Sequence, residues 1–273
     1  MWAKIIDYLS VMNFYTTILG SGAAVPAHNR HCSGQSLNVN GFYILLDCGE
    51  NTQTELRIRH QKIQSIPLVC LTHLHGDHMF GLPGLLSTMH LVGRTEPLDI
   101  IAPAGLESAL KPLLDISFTN IDFEVRYHEL IHEGCQSVFD NKKCEVSAFP
   151  LLHSVPTYGY LIRQKSNRED IPDCCYAYCT DTGYTETFLP FVKGVDLLCL
   201  ESTFDDDNAD LALKRQHLTA SQAATLAQKA GVKQLLLTHF SARYKEIDTL
   251  LEHAQAIFPQ TIAAQEGERI PIQ

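Results

Sequence analysis

Thr72-His73-Leu74-His75-Gly76-Asp77-His78 is the stretch that decides how this chain is read. Four metal-capable side chains, His73, His75, Asp77 and His78, fall within six positions. Leu68-Val69-Cys70-Leu71 ahead of them is apolar and reads as the end of a buried strand. Met79-Phe80-Gly81-Leu82-Pro83 behind them is where a helix is expected to begin. A strand that empties into His, His, Asp and His is a ready-made site for zinc, and its imidazole and carboxylate donors also suit manganese or iron. A histidine-rich surface loop is the plainer reading. The order H-x-H-x-D-H, with further candidate ligands downstream, speaks against it.

Working outward, the same device recurs. Phe42-Tyr43-Ile44-Leu45-Leu46 ends at Asp47, and a hairpin is expected from Ser36 to Leu46 around Gly41. Cys144 to Leu152 reads as a strand ending at His153. A hairpin of Tyr158–Gln164 and Cys175–Cys179 delivers Asp181. Val195 to Leu200 ends at Glu201, and Gln234 to Leu237 is followed by His239. Between these lie helical patterns: Thr52 to Gln61, Leu82 to Leu91, Gly105 to Leu114, Thr219 (N-cap) to Ala230, and Asp248 to Ile257. Further strands are expected at Phe14–Leu19, Leu98–Ile101 and Ile121–His128. The alternation predicts a layered α/β fold with its site beyond the carboxyl ends of the strands. Residues 1–12 read as a lead-in. Residues 13–273 read as one domain of two pseudo-symmetric halves that meet near residue 150.

Composition bounds the rest. The chain has 273 residues, 45% of them hydrophobic, enough for a large core. No apolar run reaches the ~18 residues that a membrane helix needs, and Met1 to Ser10 has no clear apolar segment of the secretory type. Nine cysteines without a paired C-x-x-C fit reduced thiols in a cytoplasmic protein. The formal charge of −10 argues against non-specific binding to nucleic acid. It leaves a phosphate substrate open, because bound divalent ions invert the local field.

The strand-end groups are Asp47, His73, His75, Asp77, His78, His153, Asp181 and His239. Without Asp47 they supply five imidazoles and two carboxylates. Two ions with three or four protein ligands each need about that number when one carboxylate bridges. His73 and His75 project from one side of an extended turn toward one ion, and Asp77 and His78 can face a second.

This set resembles the metallo-β-lactamase superfamily, whose fold is an αββα four-layer sandwich. Within it the sequence resembles the ribonuclease Z family, which processes tRNA 3′ ends. Gly20-Ser21-Gly22-Ala23-Ala24-Val25-Pro26, Leu46-Asp47-Cys48-Gly49-Glu50, Leu152-His153-Ser154-Val155-Pro156-Thr157-Tyr158-Gly159-Tyr160, Thr180-Asp181-Thr182-Gly183 and Leu237-Thr238-His239-Phe240-Ser241 carry the resemblance. It spans about residues 14 to 250. It implies two Zn²⁺ per chain (Mn²⁺ or Fe as alternatives), one held by His73, His75 and His153, the second by Asp77, His78 and His239, with Asp181 bridging. Asp77 would orient or deprotonate the attacking water, and Asp47 would support the metal loop without binding metal. Leu200-Glu201-Ser202-Thr203 and Gln216-His217-Leu218 look like the motifs that assist the leaving group, which makes Glu201 and His217 catalytic candidates. Taken alone, Glu201 reads equally as a surface carboxylate at a strand end, and His217 as an exposed residue before a helix. The resemblance also implies a homodimer and an RNA partner, precursor tRNA.

Three departures bear on the substrate. The family usually carries a protruding Gly/Pro-rich or basic arm between the motifs of His153 and Asp181, and here 27 residues separate them. Asn51 stands where the family commonly has Gly, and Gln216-His217-Leu218 replaces Gly-His-Ser. The rival readings are a hydrolase of a smaller phosphodiester, a non-phosphate hydrolase of the same fold, and a binding module that keeps the metal site. Basic groups expected near the site are Arg30, Arg57, Arg59, Lys62, Lys214, Arg215, Arg243 and Lys245.

Overall fold

The computed structural model describes residues 13–131, 133–166 and 173–273. The lead-in expected over 1–12 lies outside them, as does most of the polar loop between Lys165 and Asp173. The first part of the chain forms β1 (Phe14–Gly20), β2 (Gly22–Ala23), β3 (Gly34–Val39), β4 (Phe42–Leu46), α1 (Thr52–Ile58), β5 (Leu68–Cys70), α2 (Gly76–Met79), α3 (Leu82–Leu91), β6 (Leu98–Pro103), α4 (Leu106–Ile116) and β7 (Val125–Leu130). There follow β8 (Gln136–Asp140), β9 (Cys144–Pro150), β10 (Tyr158–Gln164), β11 (Cys175–Cys179), β12 (Leu197–Glu201), α5 (Ala209–Arg215) and α6 (Ala220–Ala230). The chain ends in β13 (Gln234–Thr238), β14 (Phe240–Ser241), α7 (Asp248–Ile257), β15 (Thr261–Ala263) and β16 (Arg269–Pro271).

Two seven-stranded sheets result, ordered β16-β1-β3-β4-β5-β6-β7 and β15-β13-β12-β11-β10-β9-β8. Strand periodicity explains why they stack. In β4, Ile44 and Leu46 enter the core between the sheets, whereas Leu45 packs outward with α1, α3 and α4. Leu68 and Cys70 likewise face inward and Val69 outward. Apolar residues on both faces are the signature of a sheet covered on both sides. The second sheet is covered by α6, whose Ala220, Ala223, Ala224, Leu226 and Ala227 are all buried. Thr219 caps that helix through a capping box with Gln222, and Gly231 ends it at φ 64°. The outcome is the expected αββα sandwich.

Three tyrosines of the second sheet cross the inter-sheet layer. Tyr160 donates to the Leu71 carbonyl at 2.6 Å, Tyr176 to Gln35 Oε1 at 2.5 Å and Tyr178 to Asp47 Oδ2 at 3.0 Å. Each ring fills apolar space while its hydroxyl finds a partner. The hairpins form as expected: β3 pairs with β4 across Asn40 and Gly41, both left-handed at φ 53° and 79°, and β10 pairs antiparallel with β11. Some features differ from expectation. β8 is a polar, largely exposed edge strand without the apolar alternation that would signal it. β16 has three residues and forms only by pairing with β1. β7 begins at Val125, later than Ile121.

β4 runs parallel to β5, and β9 runs with β11, β12 and β13 through two antiparallel steps and two parallel ones. The carboxyl ends of these strands therefore line one edge of the sandwich. Tyr160→Phe should lower stability by about 1 kcal/mol, since it removes one buried hydrogen bond with little change of volume. A urea midpoint that falls at an unchanged slope would show it.

Candidate metal centre

The site starts with a buried carboxylate. Asp47 follows β4 at φ 57° and is fully buried. It accepts from the Thr72 amide at 2.8 Å, the Thr72 hydroxyl at 3.0 Å, the Tyr178 hydroxyl at 3.0 Å and His78 Nδ1 at 2.8 Å. An unpaired buried charge is costly, and these four donors stabilise it. They also fix the entry of the histidine loop and turn His78 so that Nε2 points away from Asp47. Close packing holds the loop from below: a Cβ on Gly49 would lie 2.3 Å from the Asp77 carbonyl. Asp77 and His78 sit in the single turn of α2, earlier than the helix expected from Met79 onward.

The two expected triads assemble around Asp181, which follows β11 at φ 57°. Its Oδ2 lies 3.5 Å from His73 Nε2 and 3.6 Å from His153 Nε2, and His73 Nε2 is 3.0 Å from His75 Nδ1. Its Oδ1 lies 3.4 Å from His78 Nε2 and 3.0 Å from His239 Nε2. Asp77 Oδ2 is 3.3 Å from His78 Nε2 and 3.5 Å from His239 Nε2. Ligands at the usual Zn–N and Zn–O distances in a tetrahedron stand about 3.3 Å from one another, so these spacings suit one ion per group. The Nε2 atoms of His78, His153 and His239 are buried and have no hydrogen-bond partner. Buried polar atoms are rarely left so, and one metal in each group would satisfy them, His153 in the first and His78 and His239 in the second.

The remaining nitrogens are held from behind. His73 Nδ1 meets the Thr72 hydroxyl at 3.1 Å, His153 Nδ1 the Gln216 carbonyl at 3.2 Å, and His239 Nδ1 the Thr203 hydroxyl at 2.9 Å. Such partners fix tautomer and ring direction. The Thr203 hydroxyl in turn donates a hydrogen bond to Glu201 Oε2 at 2.5 Å. Glu201 is fully buried at the end of β12, so the surface-carboxylate reading fails. It also accepts from the Thr182 amide at 2.7 Å, the Leu218 amide at 3.1 Å and His217 Nδ1 at 2.9 Å. His217 is mostly buried and lies beside the ligands, its ring centroid 5.2 Å from that of His153. Thr72, Thr203, the Gln216 carbonyl and the Ala24 amide, which donates to Asp77 Oδ2 at 2.8 Å, were not singled out by the sequence. Their signal was adjacency to the motifs, which does not say where a side chain or amide points.

Two of the three positions that depart from the family pattern, the two that replace Gly, share a backbone conformation. Asn51 has φ 74° and Gln216 φ 55°. Both are left-handed, where Gly is strain-free, Asn tolerable and Gln costly.

The electrostatics follow from packing five imidazoles around two carboxylates. Burial, reinforced by His78, drives His73 down to about 2. Burial also disfavours charge on His239, but Asp181 and Asp77 outweigh it and raise its pKa to about 10. Burial opposes ionisation of Asp181 and Asp77, yet the neighbouring histidines hold both carboxyls below their usual range. Both carboxylates are therefore held in the ionised form that cation ligands require, and a cation that binds at His239 must displace a proton from it.

Five ligand candidates, His75, Asp77, His153, Asp181 and His239, open into a cleft of about 360 Å³ lined by Ala23, Ala24, Ser154, Phe204, Lys214, Arg215, Gln216, His217 and Ser241 as well. A larger groove of about 530 Å³ between α4 and the segment 119–127 holds none of the expected site residues. The loop from Ser21 to His31 forms one wall. Glu266, close to β16, grips both ends of that loop, accepting from the Ser21 amide at 3.1 Å and from the His31 amide and Nδ1 at 2.6 Å each. Of the basic groups expected nearby, Arg30 is turned inward onto the carbonyls of Ser241, Tyr244 and Lys245, and Arg59 pairs with Glu55. Lys62 belongs to a separate pocket with Tyr15 and Tyr43.

Residues 43–240 match the model of the Beta-lactamase superfamily domain. Ribonuclease Z of Azobacteroides pseudotrichonymphae genomovar. CFP2 is 36% identical, with 95% of this chain and 99% of that protein covered. Ribonuclease Z of Porphyromonas gingivalis (strain ATCC BAA-308 / W83) is 34% identical over 303 positions, with 95% and 99% covered. The crystal structure of the short form of human tRNase Z superposes with a TM-score of 0.82 at 32% identity, covering 95% of this chain and 99% of that one. The chain belongs to the ribonuclease Z family. It has the metallo-β-lactamase fold and is a metal-dependent hydrolase with a divalent metal cofactor.

Asp47→Asn should weaken divalent-metal affinity by about 10–100-fold, the usual effect of losing a group that orients a ligand. Competition against a chromogenic chelator would measure it, with far-UV circular dichroism reporting that the fold persists.

Proposed function

We propose that this ribonuclease Z family member is a two-zinc endoribonuclease that cleaves the 3′ trailer from precursor tRNA. The observation that supports it most is the position of Asp181, one carboxylate oxygen facing each triad. His73, His75, His153 and Asp181 would hold one ion, and Asp77, His78, His239 and Asp181 the other, with Mn²⁺ or Fe as alternatives. Such a pair supplies Lewis acidity and a nucleophile available near neutral pH. Because the ligands come from both sheets, residues 13–273 work as one domain in this reading.

The chain's own groups then divide the work. Asp77, anchored by the Ala24 amide, orients the attacking water. Glu201 accepts a hydrogen bond from Nδ1–H of His217 and so stabilises the protonated ring, whose Nε2–H would hand a proton to the leaving oxygen. Burial disfavours the charged His217, but Glu201 raises its pKa above the ordinary histidine value. A raised pKa keeps the acid form loaded at neutral pH, and it is lost as pH rises through that value. Glu201→Gln should therefore move the alkaline limb of the kcat profile to lower pH, and a pH–rate series on both proteins would read it. Asp181→Ala should drop the metal content from about two ions per chain to well below one, because both positions lose a ligand together. Elemental analysis of dialysed protein checks this.

A smaller phosphodiester is the second reading. The alignment with the Porphyromonas protein is longer than this whole chain, so that relative carries residues with no counterpart here. The 27 residues between His153 and Asp181 include one hairpin, with little room for the family's arm. Offering the purified protein a precursor tRNA and a chromogenic phosphodiester side by side decides between the two. A reducing, cytoplasmic setting accords with nine free cysteines. Self-association as a homodimer accords with exposed apolar side chains such as Phe80, Leu91 and Phe118.

A further inference from the structure

We infer that Lys214 and Arg215 form a cationic grip for the RNA phosphates that flank the scissile bond, doing at the mouth of the cleft part of what the family's arm does at a distance. The inference rests on the RNA reading above. Both side chains are exposed, both line the cleft that holds the metal-ligand candidates, and neither has a carboxylate partner among the described residues.

Their placement follows from the backbone. They close the last turn of α5, and the chain then reverses through Gln216 at φ 55°, where the amides of Gln216 and His217 return to the carbonyls of Leu213 and Ala212. The reversal is fixed from the cleft side, because the Gln216 carbonyl receives His153 Nδ1 and the next residue, His217, is tied to Glu201. Two cations are thus mounted one and two residues from a group that touches a metal-ligand candidate. A grip on a rigid mount loses little entropy when it closes on its ligand. The Lys and Arg in the last turn also complement the helix dipole, but a dipole partner has no need to face the cleft.

Charge elsewhere sets the path. Asp205, Asp206, Asp207 and Asp210 lie on the amino-terminal side of the same segment and repel a polyanion. Arg30 is spent on three carbonyls of the opposite loop. Among the described residues that line the cleft, the cations are Lys214 and Arg215, so an RNA strand entering it meets positive charge at the carboxyl end of α5. Phosphate contacts of this kind position the strand without reading its sequence, and each released counterion adds to the salt dependence.

The test is a salt series on the metal-loaded protein with a precursor tRNA bearing a 3′ trailer and with a chromogenic phosphodiester. The Lys214→Ala/Arg215→Ala protein should show a KM for the tRNA raised on the order of tenfold at about 0.1 M salt, with the slope of log KM against log salt reduced by between one and two. Its ratio of tRNA to small-diester turnover should fall accordingly. Lys214→Arg/Arg215→Lys should recover the wild-type slope, which a packing role would not require. Lys111→Ala, on the distant α4, should keep it. A tRNA-cleaving protein whose KM and slope are unmoved by the double alanine change overturns the grip and leaves the RNA reading standing. A wild-type protein that turns over the small diester but no tRNA at any salt overturns both.

Discussion

Two carboxylates buried in a protein interior, neither of them a metal-ligand candidate, organise this molecule. Asp47 ends β4 of one sheet and Glu201 ends β12 of the other, and both are fully buried. Each gathers four donors: two from Thr72, one from Tyr178 and one from His78 for Asp47, and Thr182, Thr203, His217 and Leu218 for Glu201. The cost of burying such a charge makes these contacts obligatory. The loops that deliver them are drawn into fixed positions, and each carboxylate orients one functional imidazole. The sandwich brings the two together, and Asp181 fills the space where they meet.

Two of the seven ligand candidates occupy strained backbone. Asp181 and His239 have φ of 57° and 61°, and Asp47 shares the region at 57°. For residues other than Gly this costs on the order of 1 kcal/mol each. The strain persists because strands hold each residue on one side and hydrogen bonds hold it on the other. A divalent ion, which binds the folded site and not the open chain, offsets it further. Fold and cofactor thus stabilise one another.

How much of this was legible follows from the physics of each signal. The seven ligand candidates could be read because metal donors are few in kind and each lies in a segment that follows an apolar strand. The sandwich could be read from apolar runs of strand length. Glu201 could be read only as a motif neighbour, since nothing in its own identity says that it is buried. Thr203 and the Gln216 carbonyl act through direction, which spacing does not encode. Arg30 could be read as a basic group near the site but not as one turned onto carbonyls, because a charge in sequence carries no information on which way its side chain turns. β8 and β16 are polar or too short to signal themselves, and they exist because an adjacent strand offers a ladder to join.

Glu266 gives the architecture a direction in time. It closes the Ser21–His31 loop against β1 from a position near the last strand, and that loop supplies the amide that anchors Asp77. A ligand candidate, His239, also comes late. Chains are synthesised from the amino terminus, and early parts collapse before late ones arrive. A chain that stops short of Glu266 lacks the carboxylate that closes this wall, and one that stops short of His239 lacks a metal-ligand candidate as well.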